Sequence, residues 1–190
     1  MARTRRTARQ RDLLDRLVAL MAAEGFAEFT LDELAQRMRC SKTTLYALAD
    51  SKQELVVEVV KQYFRAAQEA VEARVAEETD PSTRVVAYLT AVADQLKPLS
   101  RAFMDDLTGF GPAAAVYRRN TAAAADRIRT LIGEGIDAGA FRPVHAAFAA
   151  EMVAATMFEI QRGELFERLE LTDSEAYAEL LDLVTQLLAR

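Results

Sequence analysis

The stretch "CSKTTLYALADSKQEL", Cys40 to Leu55, gathers side chains suited to recognition by hydrogen bond and charge. Lys42 can donate to guanine acceptors or to a phosphate. Thr43 and Thr44 can bond a base edge or touch a thymine methyl, and Tyr46 offers a hydroxyl to a phosphate. Lys52 opens a new helix, whose free backbone N–H groups add a second anion-binding element. A short helix presenting this set fits the major groove of duplex DNA, with its N-terminal residues nearest the base edges. The alternative is a pair of connector helices with solvated polar faces.

The chain is poor in residue patterns that would do covalent chemistry. Its one histidine, His145, falls near a helix start, and its one cysteine, Cys40, falls in a turn, so both read as structural. Asp105 and Asp106 are adjacent, so they diverge on a helix and make a poor acid–base pair. No metal-ligand spacing, glycine-rich phosphate loop or nucleophile elbow is present. These observations argue against an enzyme and imply neither a cofactor nor a metal.

Charge is unevenly distributed over the 190 residues, whose net formal charge is −5. Residues 1–52 hold ten Lys/Arg against seven Asp/Glu, and the remainder holds fourteen against twenty-two. Arg3, Arg5, Arg6, Arg9 and Arg11 all precede the first acid. A basic end on an acidic body fits nucleic-acid binding; a solvated tail is the alternative. A single cysteine excludes an internal disulfide and fits a reducing cytoplasm. The apolar run from Leu13 to Ala23 is broken by Asp15 and Arg16, so it is neither a signal core nor a membrane span.

The elements that must position the polar set are all helical. No alternating strand pattern occurs. Pro81, Pro98, Pro112 and Pro143 read as first-turn residues, where the missing N–H costs nothing. Thr30 with Glu33, Ser51 with Glu54, and Thr172 with Glu175 read as capping boxes. About nine helices result: Arg9–Glu24, Leu31–Met38, Lys42–Leu48, Lys52 to about Glu78, Pro81–Lys97, Pro98–Thr108, Pro112–Ala138, Pro143–Arg162 and Asp173–Ala189. The second and third, joined at Arg39–Cys40, form a helix-turn-helix. Leu13, Leu14, Leu17, Val18 and Met21 of the first helix cover its inner side.

A head this small presents one reading helix, so selectivity calls for a two-fold pair of copies on a palindromic site. The last two helices offer a seam: Phe148 and Met152 from one, Tyr177, Leu180, Leu181, Val184, Leu187 and Leu188 from the other. The penultimate helix is apolar almost all round, which buries it on every side. A monomer core is the alternative.

The run "FTLDELAQRMRCSKTTLYALADSKQELV" resembles the DNA-binding region of the TetR family of transcriptional regulators. The resemblance covers roughly residues 9–60 and implies an all-α protein with a three-helix head and a larger helical body. Residues 1–52 would be the arm and helix-turn-helix, and residues 53–190 the ligand-sensing and dimerising body. Thr30 would cap the second helix and touch a phosphate. Lys42, Thr43 and Thr44 would read bases or hold phosphates, with Tyr46, Lys52 and the arm residues Arg3, Arg5 and Arg6 on the backbone. The family's turn usually carries glycine where Arg39 stands; a left-handed arginine there costs on the order of 1 kcal/mol. Ala47, Leu48 and Ala49 replace polar and aromatic residues usual after the tyrosine.

For the body, the resemblance implies a four-helix dimer interface and a small-molecule cavity. Phe64, Tyr88, Phe103, Met104, Phe110, Tyr117, Met152 and Phe158 are candidates to line it; plain core packing is the other reading. Glu159, and less directly Glu151, lie on the apolar penultimate helix, and a buried carboxylate needs a partner. Glu159 is the candidate ligand-orienting group. The expected function is a TetR-like DNA-binding repressor in the cytoplasm. It would be a homodimer on a palindromic double-stranded operator, relieved by a small apolar or amphipathic effector, with no membrane partner. The alternative is a helical interaction module without DNA binding or ligand control.

Overall fold

The computed structural model describes residues 7–162 and 168–190. Among these residues nine helices occur and no strand. They are α1 (Ala8–Glu24), α2 (Leu31–Met38), α3 (Lys42–Tyr46), α4 (Lys52–Ala76), α5 (Pro81–Leu96), α6 (Arg101–Gly109), α7 (Gly111–Asp137), α8 (Ala146–Arg162) and α9 (Asp173–Leu188). No helix among the described residues is long and apolar enough to cross a membrane.

Local signals explain most of the boundaries. Full capping boxes start α2, through Thr30 and Glu33, and α9, through Thr172 and Glu175. A third box, from Thr7 and Gln10, starts α1. At α4 the box is incomplete: Ser51 accepts from the Glu54 N–H, but the Glu54 carboxylate reaches back to Asp50 instead. Pro81 and Pro112 occupy the first turns of α5 and α7.

Pro98 and Pro143 depart from the expected pattern. Pro98 lies in the turn after α5, and Ser100 caps α6 by accepting from the Phe103 N–H. Pro143 precedes α8 by three residues. There His145 does the capping, its Nδ1 accepting from the Phe148 N–H at 3.1 Å. In both places a side-chain acceptor outcompetes proline as the start signal, because it satisfies an orphan donor that proline merely lacks. The single histidine therefore has a structural task.

Two apolar clusters organise the chain. The first joins Leu13, Leu14, Leu17 and Met21 of α1 to Leu34, Met38 and Leu45, then continues into Leu55, Val59, Val60 and Phe64 of α4 and Phe103, Met104 and Leu107 of α6. The second fills the far body with Val71, Tyr88, Leu89, Ile128, Ile132, Val153, Ile160, Tyr177 and Val184. Position 52 is the first turn of α4, and packing runs straight across it. α4 has 25 residues and spans roughly 37 Å, so one rigid rod touches both clusters.

Tyr177, Val184 and Leu188 are buried within the chain, so these three expected seam residues serve its own core. Leu180 and Leu181 are packed against the same cluster. Helix α8 is not enclosed on all sides either. Phe148 and Met152 stand on its open face, joined on α9 by Leu183 and Leu187.

Candidate nucleic-acid interface

Helix α3 is five residues long and owes its position to neighbours rather than to its own hydrogen bonds. Leu45 anchors it in the core and Leu48 follows in the turn behind it. Ser41 caps its start by accepting from the Thr44 N–H. From α1, the Gln10 amide donates to the Ala47 carbonyl at 3.3 Å and the Arg16 guanidinium donates to the Met38 carbonyl at 3.0 Å. One helix thus holds the C-terminal ends of both members of the helix-turn-helix. Neither contact is legible from spacing, since each links residues more than twenty positions apart.

The outer side of α3 is open. Lys42, Thr43 and Tyr46 are exposed, and Thr44 is half-buried. The Thr44 hydroxyl lies 2.9 Å from that of Ser41, which leaves Thr43 the freer hydroxyl. Lys42 pairs with Asp32 of α2 at 2.7 Å, and this hydrogen bond pushes the ammonium pKa up, so it stays charged. Asp32 also offsets part of that charge. Thr30 is exposed at the start of α2, its hydroxyl donating to Glu33 at 2.8 Å. Hydrogen bonds from the Thr30 N–H and hydroxyl hold the Glu33 pKa below its ordinary value. A depressed carboxylate stabilises above its unfolded pKa, so this cap weakens as pH falls through the lowered value. Arg3, Arg5 and Arg6 lie outside the described residues.

Arg39 closes α2 in the left-handed region, at φ 52° and ψ 47°. Its N–H and that of Cys40 both return to the last turn, the latter to the Ala35 carbonyl at 2.9 Å. The conformation suits glycine and strains an L side chain. Arg39→Gly should therefore raise stability by about 1 kcal/mol, which a denaturant midpoint at unchanged slope would show. A lowered midpoint would mean that the exposed arginine makes a contact worth more than the strain.

The head is also fastened to the body. One carboxylate oxygen of Asp106, on α6, accepts from the backbone N–H of Phe26 at 2.5 Å and of Ala27 at 2.8 Å. Lys52 Nζ, on α4, donates to the Ala27 carbonyl at 2.6 Å. The same loop between α1 and α2 is thus held from two body helices. Gly25 makes the approach feasible, since it has φ +81° and an added Cβ would stand 2.7 Å from the Asp106 oxygen. Lys52 consequently has a structural bond as well as a place at a helix start.

The body contains a cavity of about 310 Å³ between α4, α5 and α7. Of the residues expected to line one, Phe64 and Tyr88 do. Phe103, Met104 and Tyr117 are buried in the first apolar cluster, and Phe158 packs against it. Phe103, Tyr117 and Phe158 belong to a chain of ring contacts that runs from Phe26 through Phe103, Tyr63, Phe64 and Tyr117 to Phe158. Phe110 contacts Phe26 near the head. Met152 faces outward, and Glu159 lies within 3.8 Å of Arg162 on its own helix, away from the cavity. Glu151 is exposed. The polar wall comes instead from Gln68, Glu72, Gln95, Asn120, Arg127, Thr130 and Asp126, the last paired with Arg129 at 2.9 Å, and sequence spacing singles out none of them. Arg127 grips Glu72 with two hydrogen bonds, Nε to Oε1 at 2.9 Å and Nη2 to Oε2 at 3.0 Å. Burial pushes the Tyr63 and Tyr88 phenols up to about 12, so both are protonated at neutral pH.

Residues 13–59 match the family model for bacterial regulatory proteins of the tetR family. No curated protein sequence matches the chain. Among solved structures, the fatty acid degradation regulator FadR from Bacillus halodurans aligns at a TM-score of 0.75 and 13% identity, over 96% of this chain and 97% of that one. The TetR-family regulator PfmR from Thermus thermophilus aligns at 0.66 and 22% identity, over 94% and 99%. AibR in complex with isovaleryl coenzyme A and operator DNA aligns at 0.66 and 18% identity, over 92% and 97%. At such identities the likeness is one of fold, and it extends over nearly the whole chain. Residues 13–59 thus carry the amino-terminal region described for bacterial regulatory proteins of the tetR family, on a fold shared with solved regulators over nearly the whole chain.

Proposed function

We propose that this protein is a TetR-like transcriptional regulator acting as a homodimeric repressor. Each copy reads half of a palindromic operator with α3, and a small apolar or amphipathic ligand in the α4–α5–α7 cavity releases it. The observation that carries the reading is the division of α3 into two sides. Leu45 is fixed in the core, while Lys42, Thr43 and Tyr46 remain open to a groove. Related regulators support it, since AibR is known with both an acyl coenzyme A and operator DNA. The open apolar face of α8 and α9 supports pairing of two copies.

Release is a population shift. The α4 rod begins at Lys52 beside the head and passes the cavity at Phe64 and Glu72. Tilting it changes the distance between the two heads. Moving the DNA-competent state from 99:1 to 1:99 takes about 5.5 kcal/mol of differential ligand binding.

Gel shifts on DNA flanking the gene, at two salt concentrations, test the reading. Affinity should fall steeply with salt, as phosphate contacts require. Thr43→Ala should weaken operator binding about tenfold across a dimer and leave random DNA nearly unchanged. Equal losses on operator and random DNA would remove Thr43 as a base reader.

A further inference from the structure

Resting on the α4–α5–α7 cavity as the effector site, we propose that it takes a carboxylate-headed amphiphile, whose head displaces Glu72 from Arg127. The floor is apolar, made by Phe64, Val71, Tyr88, Val92 and Leu96, and it suits a short hydrocarbon or aromatic tail. At about 310 Å³ the space lies at the small end of ligand sites. Arg127 is the only cation among the lining residues. Its Nε and Nη2 are engaged by Glu72, whereas Nη1 has no acceptor among the described residues. Nη1 gives an incoming carboxylate its first contact, and the planar guanidinium can hold that carboxylate through two parallel bonds once Glu72 yields.

The asymmetry of the pair selects the sign of the ligand. The Arg127 side chain is 27% exposed and that of Glu72 is 41% exposed, so the carboxylate is the outer partner. Glu72 can swing into water at little cost, because a half-exposed ion pair contributes little net stability. An incoming carboxylate then keeps the deeper guanidinium paired. An incoming ammonium would pair with Glu72 instead and leave Arg127, partly desolvated, with only the more distant charge of Glu134, which is costly. An uncharged head would leave the pair intact and gain only the floor.

The exchange has a mechanical consequence. Glu72 belongs to α4 and Arg127 to α7, so their ion pair ties the rod that carries the head to the body. Replacing Glu72 by a ligand carboxylate removes that tie at the moment of binding. The ligand thus acts on α4 through a bond it takes over and not through steric pressure alone.

The test is calorimetric titration of the full chain with phenylbutyrate, phenylbutylamine and phenylbutanol, which share one tail. The same ligands are added in parallel to gels of the DNA complex. The acid should bind about tenfold or more tightly than the amine and the alcohol, and it alone should release DNA. Arg127→Gln should abolish the preference. Glu72→Gln, which removes the competitor without touching the guanidinium, should tighten acid binding about fivefold or more, and it serves even if the arginine variant fails to fold. Equal or better binding of the amine or alcohol, no gain in Glu72→Gln, or no binding of any of the three would overturn the proposal. DNA binding by the unliganded protein is read from the same gels. Its absence would sink the regulator reading while leaving the calorimetric result to decide the cavity's chemistry.

Discussion

Replacing Phe103 by alanine should destabilise the protein by about 3–5 kcal/mol, the range for truncating a fully buried aromatic. Phe103 is 1% exposed and packs edge-on to Phe26, with ring centroids 5.7 Å apart, and against Tyr63 at 6.1 Å. Those partners come from the head's α1–α2 loop and from α4. The cavity left behind would therefore lie at the joint, where three elements meet and none can collapse into it. Asp106, one turn further along α6, holds the same loop through two backbone N–H groups. Loosening α6 thus weakens polar and apolar fastening together. Urea unfolding followed by far-ultraviolet circular dichroism would report the loss as a lower midpoint. A change below about 1 kcal/mol would show that head and body do not share the cluster around Phe103.

If two copies pair as proposed, the paired substitution Met152→Glu and Leu183→Glu should separate them and lower operator affinity by about 100-fold or more. Phe148 is 66% exposed and Leu183 is 63% exposed, so they contribute little to the core of one chain. Met152 and Leu187 are exposed as well, which leaves large apolar side chains uncovered on both α8 and α9. Carboxylates facing one another there would be desolvated without partners. A monomer would keep its fold and its single reading helix but lose the second half-site contact, which is why the loss in operator affinity exceeds that of any one side chain. Light scattering should move from twice the chain mass to the 21.1 kDa of one chain, with an unchanged circular dichroism spectrum. A variant that remains dimeric would place the seam elsewhere.

What can be read in the sequence follows the range of the forces involved. The bounds of α2 and the capping boxes at Thr30 and Thr172 are legible because each depends on residues within four positions. So is the inward direction of Leu45, set by its spacing from the exposed residues around it. The strain at Arg39 is legible as a condition, and the residue does occur in the left-handed conformation. Pro98 and Pro143 mislead, because proline marks a permissive position whereas Ser100 and His145 supply a bond. The family likeness of the head is legible for the same local reason, since a continuous run of residues carries it.

The body's site is much less legible. A stripe of aromatic residues looks the same whether it fills a core or lines a cavity. Phe103, Met104 and Tyr117 are packing, while Phe64 and Tyr88 border open space. The Glu72–Arg127 pair spans 55 positions, and only the fold brings it together. The seam shows the same ambiguity. Tyr177, Val184 and Leu188 share helical spacing with Leu183 and Leu187, yet the first three face inward and the last two outward.

In the proposed complex, two copies of α3 enter successive major grooves. Hydroxyl-radical footprinting of the wild-type protein on its flanking DNA tests it most directly. The expected result is two protected patches with two-fold symmetry, centred about 34–36 Å apart along the duplex or at a multiple of one helical turn. A single asymmetric patch, or protection indifferent to sequence, would contradict it.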